Sequence, residues 1–264
     1  MISVRPPEQI ELGAVSLYTY SVFILIGMIV AYLLARGPAI RASLTTERLQ
    51  QSLVYGLLPG LIGARLYHVF DQAGYYLDNP AQFFALWNGG LGILGGLAGG
   101  ALGLWWFARQ QRVSLLIMSD IWAPGVLAAQ AIGRLGNWAN QEAFGPPSDL
   151  PWAIPIDPLH RPLDHQEAGT FHPTFLYELV WDAIGLAIIL LFRRRMEAVP
   201  GRTLGAYLVA YGSGRMMAEF FRFDTAELAG FKLAYLVAAL LIAGGLYLLL
   251  RPVRPGRKPV AKQR

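Results

Sequence analysis

The chain reads as an all-α membrane protein with seven transmembrane helices, the N-terminus outside, the C-terminus cytoplasmic, and an irregular extracytoplasmic loop between the fourth and fifth helices. Three observations predict this. Of 264 residues, 55% are hydrophobic and 15% charged, and the mean hydropathy is +0.41, a balance of polytopic membrane proteins and not of water-soluble domains. Apolar segments of roughly 18 residues or more, enough to cross a bilayer, recur along the chain. Basic residues alternate between connections: Arg36, Arg41 and Arg48 in the first, Arg109 and Arg112 in the third, Arg193, Arg194, Arg195 and Arg202 in the fifth, and Arg251, Arg254, Arg257, Lys258, Lys262 and Arg264 in the tail. The second connection has no Lys or Arg, and the N-terminal segment has only Arg5. The positive-inside rule fixes the orientation from that bias and requires an odd number of spans.

The spans follow in order. Leu17 to Leu34 comes after an acidic, arginine-poor leader and lacks a cleavage-type ending, so it is expected to be retained as a first span. Leu49 to Phe70 is the second. In the third, Leu91 to Ala108, Gly92, Gly96 and Gly100 recur every four residues, as do Gly95, Gly99 and Gly103. These are small-residue seams on which neighbouring helices approach closely. A dinucleotide-binding loop would need a preceding strand, which this setting lacks. The fourth span, Leu115 to Gly136, ends in a polar cluster. Gly145 to His172 then carries Pro146, Pro147, Pro151, Pro155, Pro158 and Pro162; that density opposes helix, and a loop of such length outside the membrane suits a lid or docking segment. Its His160, Asp164, His165 and Glu167 match no familiar metal-ligand spacing and read as solvated loop residues. Phe175 to Phe192, Leu204 to Phe221 and Phe231 to Leu250 complete the seven, and Gly and Pro within them are tolerable in membrane helices. Residues 1–250 are thus one transmembrane domain and 251–264 a basic tail, expected to be disordered near the inner surface.

Composition also narrows function. The net charge of +5 tracks the cytoplasmic connections, so it calls for no nucleic-acid partner. With no cysteine in the chain, a disulfide framework, a cysteine nucleophile and thiolate metal sites are excluded. Charge at membrane depth, by contrast, is costly and usually functional. The fourth span ends in Gly133-Arg134-Leu135-Gly136-Asn137-Trp138-Ala139-Asn140-Gln141-Glu142. In the sixth, Tyr211, Arg215, Glu219 and Arg222 fall at roughly 0°, 40°, 80° and 20° around a helix, one polar stripe that must face protein or a wet cavity. A structural Arg215 to Glu219 pair is the bland alternative, but one glutamate cannot neutralise both arginines. The orientation brings Arg134, Asn137, Glu142, Arg215, Glu219 and Arg222 to the outer half of the membrane, together with Arg65, Tyr20 and His172. A transporter would hold its site near the midplane between repeated halves, and no repeat is evident. Arginines at headgroup depth suit a lipid phosphate.

These residues carry a resemblance to the bacterial prolipoprotein diacylglyceryl transferases over nearly the whole chain. GRLGNWANQEAFG (Gly133 to Gly145) resembles the family signature, and LPWAI (Leu150 to Ile154), HPTFLYE (His172 to Glu178) and YGSGRMMAEFFRFD (Tyr211 to Asp224) resemble its other blocks in order. The resemblance implies an inner-membrane enzyme, without metal or organic cofactor, that moves the diacylglyceryl group of phosphatidylglycerol onto the lipobox cysteine of a prolipoprotein signal peptide. Its partners would be that lipid, those signal peptides and the surrounding membrane lipids. Carried over by position, it implies Arg134 and Arg215 as phosphate clamps, with Glu142 and Tyr20 also in the catalytic set. Asn137, Gly145, Tyr211 and Glu219 would bind substrate, supported by Arg222, Arg65 and His172. Two departures stand out: Leu94 occupies the place of the family's usual histidine or tyrosine, and Gly230 to Ala243 lacks the family's frequent Gln and Ser. A catalytically silent, lipid-binding relative and an anionic-solute transporter are the competing expectations.

Overall fold

The computed structural model describes residues 5–13, 15–86, 89–222, 227–228 and 231–252. The basic tail from Arg254 onward, Trp87 and Asn88 of the third-span block, Phe223 and Asp224 of the sixth-span block, and Gly230 lie outside the described residues. Among those described, five helices are long and apolar enough to cross a bilayer: α1 (Thr19–Arg41), α2 (Thr46–Asp71), α5 (Leu115–Ala139), α6 (Thr174–Met196) and α8 (Leu233–Leu250). A short α3 (Ala73–Asp78) follows α2. The two remaining expected spans are helical as well. However, α4 (Ile93–Gln110) is an 18-residue, glycine-rich helix ending in Arg109 and Gln110, and α7 (Arg202–Phe220) carries Arg215 and Glu219, so both are less apolar. Most boundaries lie within a few residues of those expected. The largest difference is α1, which runs seven residues past Leu34, through Arg36 and Pro38 to Arg41. Polar residues mark where a helix can leave hydrocarbon, not where its backbone hydrogen bonds end.

The chain divides into two compact units, residues 35–121 and residues 1–34 with 122–264. In the first, α2 and α4 run antiparallel along one of the expected glycine seams. A Cβ on Gly95 would lie 2.1 Å from the Gly63 carbonyl oxygen, one on Gly99 2.1 Å from that of Pro59, and one on Gly103 1.8 Å from that of Tyr55. Backbones this close contact each other directly, which replaces the hydrophobic effect as the source of association in lipid. On the other seam Cβ atoms on Gly96 and Gly100 would meet their nearest neighbours at 3.5 and 3.4 Å, while one on Gly92 would lie 2.3 Å from the Tyr67 ring.

The same unit contains Arg65, which is 5% exposed. Its Nε donates to the Phe83 carbonyl at 2.9 Å, Nη1 to those of Gly89 and Gly90 at 2.6 and 2.9 Å, and Nη2 to those of Gln82 and Ala85. All five N–H groups of the guanidinium are thereby used. They fold the connection after the 3-10 turn Pro80–Phe84 around one cation. Gly89 and Gly90 adopt φ of 79° and 75° to present their carbonyls to it, a conformation that glycine adopts without steric cost.

In the second unit a hairpin of β1 (Gln9–Leu12) and β2 (Val15–Tyr18) leads directly into α1. Here α1 and α5 are antiparallel neighbours: Cβ atoms on Gly125 and Gly27 would meet Ala31 and Ala129 backbone at 2.6 and 3.2 Å. Gly214 of α7 takes the Trp181 indole of α6 at 2.5 Å from its would-be Cβ, and Gly205 of α7 meets the Gly245 carbonyl of α8 at 2.7 Å. A small ladder of β5 (Glu227–Leu228) with β6 (Phe231–Lys232) precedes α8.

The loop from Gly145 to His172, expected to be irregular, carries short regular elements. Strands β3 (Ile154–Pro155) and β4 (Thr170–Phe171) pair, and short 3-10 turns cover Pro158–His160 and Leu163–His165. Ile154, Ile156, Phe171 and Phe175 form a buried core, against which Trp138, Phe144 and Leu176 pack. The prolines forbid helix as expected, while the apolar residues between them supply a core that fixes the loop.

Candidate active site

The site is assembled at the C-terminal end of α5 and the turn after it. In α5, Arg134 and Asn137 are one turn apart, and the Arg134 Nη1 donates to Asn137 Oδ1 at 3.2 Å. The chain then turns back on itself: the Glu142 amide donates to the Asn137 carbonyl at 3.0 Å, and Asn137 Nδ2 donates to Glu142 Oε1 at 2.9 Å. That reversal places Gln141 and Ala143 at φ 52° and 57°, a left-handed conformation that costs non-glycine residues about 1–3 kcal/mol. The compensation at Gln141 is visible. Its Oε1 accepts from the Asp157 amide at 2.8 Å and its Nε2 donates to Asp157 Oδ2 at 2.9 Å, so the turn is bolted to the following loop. Asp157 also pairs with Arg5 at 2.8 Å, and His160 lies 3.7 Å from Glu8, so the N-terminal segment is tied to that loop too.

Close packing determines two further positions. A Cβ on Gly136 would sit 2.4 Å from the Tyr20 ring, so glycine lets Tyr20 lie flat on α5. The Tyr20 hydroxyl is within electrostatic reach of Glu142 and Arg134. At Gly145 a Cβ would lie 2.6 Å from both the Phe221 carbonyl oxygen and the Thr174 hydroxyl, and its amide donates to the His172 carbonyl at 2.8 Å. His172 Nδ1 is 3.0 Å from the Tyr177 hydroxyl, which accepts from the Trp152 indole at 2.9 Å.

The arginines are not bare cations. Arg134 Nη2 is 2.6 Å from Glu178 Oε2, and Arg215 Nη2 is 2.8 Å from Glu219 Oε2. Arg215 and Glu219 thus form the four-residue pair that the sequence offered as the structural alternative, and Arg134 has a glutamate of its own in Glu178. Glu178 and Glu219 are 3% and 0% exposed, so neutralisation by a held cation is what permits them at this depth. The pairs converge around Tyr211, whose hydroxyl is within electrostatic reach of Arg134, Arg215, Glu178 and Asp182. Its ring stacks on Tyr207 at 6.0 Å with 5° between planes.

Of the residues expected to act, Tyr20, Arg134, Asn137, Glu142, Tyr211, Arg215 and Glu219 are therefore brought together. Gly145 and His172 stand at the two ends of the loop after α5, where the Gly145 amide donates to the His172 carbonyl, and Arg222 follows α7, its amide donating to the Glu219 carbonyl at 3.3 Å. Arg65 belongs to the other unit, where backbone carbonyls occupy its guanidinium. Leu94, near the start of α4, is 53% exposed. Sequence reasoning passed over Glu178, Asp182 and Gln141. The signal for the first two was present: both are carboxylates inside an apolar span, one turn apart on α6, and Asp182 is buried as well. The rule that drew attention to Arg215 applies equally to them. Gln141 gave no such signal, because its role depends on a distant loop.

Comparison with known proteins identifies the family. The profile of the family described as prolipoprotein diacylglyceryl transferase matches residues 7–251. A phosphatidylglycerol–prolipoprotein diacylglyceryl transferase of Frankia alni is 42% identical over 258 residues, covering 95% of this chain and 68% of the relative. One from Cutibacterium acnes is 38% identical, covering 92% and 83%, and one from Streptococcus pneumoniae is 36% identical, covering 92% and 93%. The profile covers nearly the whole chain, and the chain belongs to the prolipoprotein diacylglyceryl transferase family.

Proposed function

We propose that the protein transfers the diacylglyceryl group of phosphatidylglycerol to the lipobox cysteine thiol of prolipoproteins, as a seven-span enzyme of the bacterial inner membrane working at its outer leaflet. The observation that carries this reading is the convergence of two arginine–glutamate pairs on Tyr211 in a chain whose relatives bear that enzyme's name. In the reaction the thiolate sulfur attacks the diacylglyceryl carbon bonded to phosphate oxygen. A C–S bond forms, the C–O bond breaks, and glycerol phosphate leaves with the bonding electrons. Negative charge thus grows on the leaving phosphate, where guanidinium N–H groups stabilise the transition state more than the ground state. Arg215 directs one Nη to Glu219 and keeps the rest of its fork for an anion. Asn137 and Glu142 hold the turn that positions Arg134, Tyr20 and Tyr211 wall the cavity, and Gly145 admits close backbone approach. The thiol, with an ordinary pKa of about 8.5, gains thiolate character beside arginines, and Glu142 and His172 are the candidates to accept its proton.

The test is reconstitution in phosphatidylglycerol vesicles with a lipobox peptide. The expected outcome is a peptide mass gain of one diacylglyceryl unit, absent when the cysteine is replaced by serine. Lipid binding without mass gain would overturn the reading and favour a non-catalytic relative, for which Leu94 in the family's histidine position is the specific argument. Passage of anionic solutes through the vesicles without thioether product would favour a transporter.

A further inference from the structure

Both ion pairs of the site are incomplete in the same way. Glu178 binds Arg134 through Oε2 and Glu219 binds Arg215 through Oε2, and among the described residues the other oxygen of each, Oε1, is buried without a hydrogen-bond partner. The Nε of Arg134, beside the first pair, is a buried donor in the same condition. Buried polar atoms are almost always satisfied, because leaving one unpaired costs on the order of 1–3 kcal/mol and more for a charged group. Two carboxylate oxygens that can only accept, next to arginines that can only donate, define a complementary ligand: one that carries an anion for the guanidinium forks and hydroxyl groups for the free carboxylate oxygens. An acidic headgroup lacking hydroxyls would satisfy the arginines and leave both acceptors orphaned.

Resting on the function proposed above, we infer that Glu178 and Glu219 determine headgroup specificity, accepting hydrogen bonds through Oε1 from the two hydroxyls of the headgroup glycerol while their Oε2 atoms hold Arg134 and Arg215 on its phosphate. The chemistry favours a vicinal diol for a simple reason of number and polarity. There are two free acceptors, one beside each phosphate-gripping arginine, and the leaving glycerol phosphate offers two donors beyond its phosphate. Selection of this kind is strong, since a site built to bond a hydroxyl rejects an analogue lacking it far better than an apolar pocket rejects one with an extra group.

The experiment compares phosphatidylglycerol with phosphatidylpropanol, which has the same phosphate and no headgroup hydroxyl, as donors to a lipobox peptide in vesicles of neutral lipid. For the unaltered protein the ratio of kcat/KM values is expected to favour phosphatidylglycerol by about a hundredfold, the worth of two bonds to charged acceptors. In Glu178→Gln and Glu219→Gln, which keep the shape and the contact to arginine but replace the free charged acceptor, each ratio is expected to fall at least tenfold. A purely structural role would lower transfer from both lipids in parallel and leave the ratio where it was, which overturns the inference. Equal use of the two lipids by the unaltered protein overturns it too, because water then satisfies the orphaned oxygens, while leaving the proposed function standing. Transfer from neither lipid removes both.

Discussion

At the residue scale the site is a set of mutual dependencies. Arg134 contacts Asn137 and Glu178 simultaneously, so replacing it by leucine leaves a buried carboxylate without a counter-charge, at a cost of about 3–5 kcal/mol. Thermal unfolding in detergent should show Arg134→Leu melting far below the unaltered protein and the double variant with Glu178→Leu recovering most of the difference. A single variant as stable as the parent would contradict the pairing. For Arg215→Lys, which keeps charge and loses the planar fork, peptide lipidation is expected to fall about 10- to 100-fold, the worth of a hydrogen bond to a charged group. The arginines, the glutamate on α7 and the signature turn were legible in the sequence because charge inside an apolar span is conspicuous. Their partners were less so, since reading Glu178 against Arg134 requires knowing that α5 and α6 are neighbours.

The elements are held by backbone approach and not by large side chains. Because a Cβ on Gly103 would lie 1.8 Å from the Tyr55 carbonyl, Gly103→Val must separate α2 from α4. Gly56→Ala meets nothing within 4 Å and is expected to stay within about 1 kcal/mol of the parent. Hydrogen exchange of residues 46–71 and 93–110 distinguishes the two: rapid exchange in the first variant and parental protection in the second. In the loop between α5 and α6, Phe171→Ala removes a fully buried ring, expected to cost about 3–5 kcal/mol. Limited proteolysis should then cut between Pro146 and His172; a loop as resistant as the parent's would show that its core is dispensable. Periodic glycines announced a close helix contact along α4, although the sequence alone said neither which helix would fill it nor which seam would be the tighter. In the Gly145 to His172 loop, proline density reports the absence of helix and says nothing about a core formed by Ile154, Ile156 and Phe171, which meet only after the chain has turned.

For the whole molecule, orientation decides function, since the proposed chemistry belongs to the outer leaflet. The absence of cysteine makes it directly testable. Leu159, 96% exposed in the loop between α5 and α6, should as Leu159→Cys react with a membrane-impermeant maleimide added to intact cells, whereas Lys262→Cys should react only after the membrane is opened. The reverse pattern would place the site on the wrong side. The helical class and the order of the spans were readable from hydropathy, and their sidedness was inferred from Arg and Lys alone. What hydropathy could not convey is that two of the expected spans, α4 and α7, trade apolar length for glycine seams and for the charges of the site. A helix that serves a site is a weaker membrane signal because it serves it.

The carbonyl cage around Arg65 has one more implication. Five backbone oxygens converging on a single positive centre is the coordination pattern by which extracellular loops are commonly set by a calcium ion, yet here the cation is covalently part of the chain. Chelators, dilution and changing mineral content of the surroundings therefore have no purchase on the carbonyls of Gln82, Phe83, Ala85, Gly89 and Gly90. The loop carries its own permanent ion, and its shape is inherited with the sequence instead of being drawn from the medium.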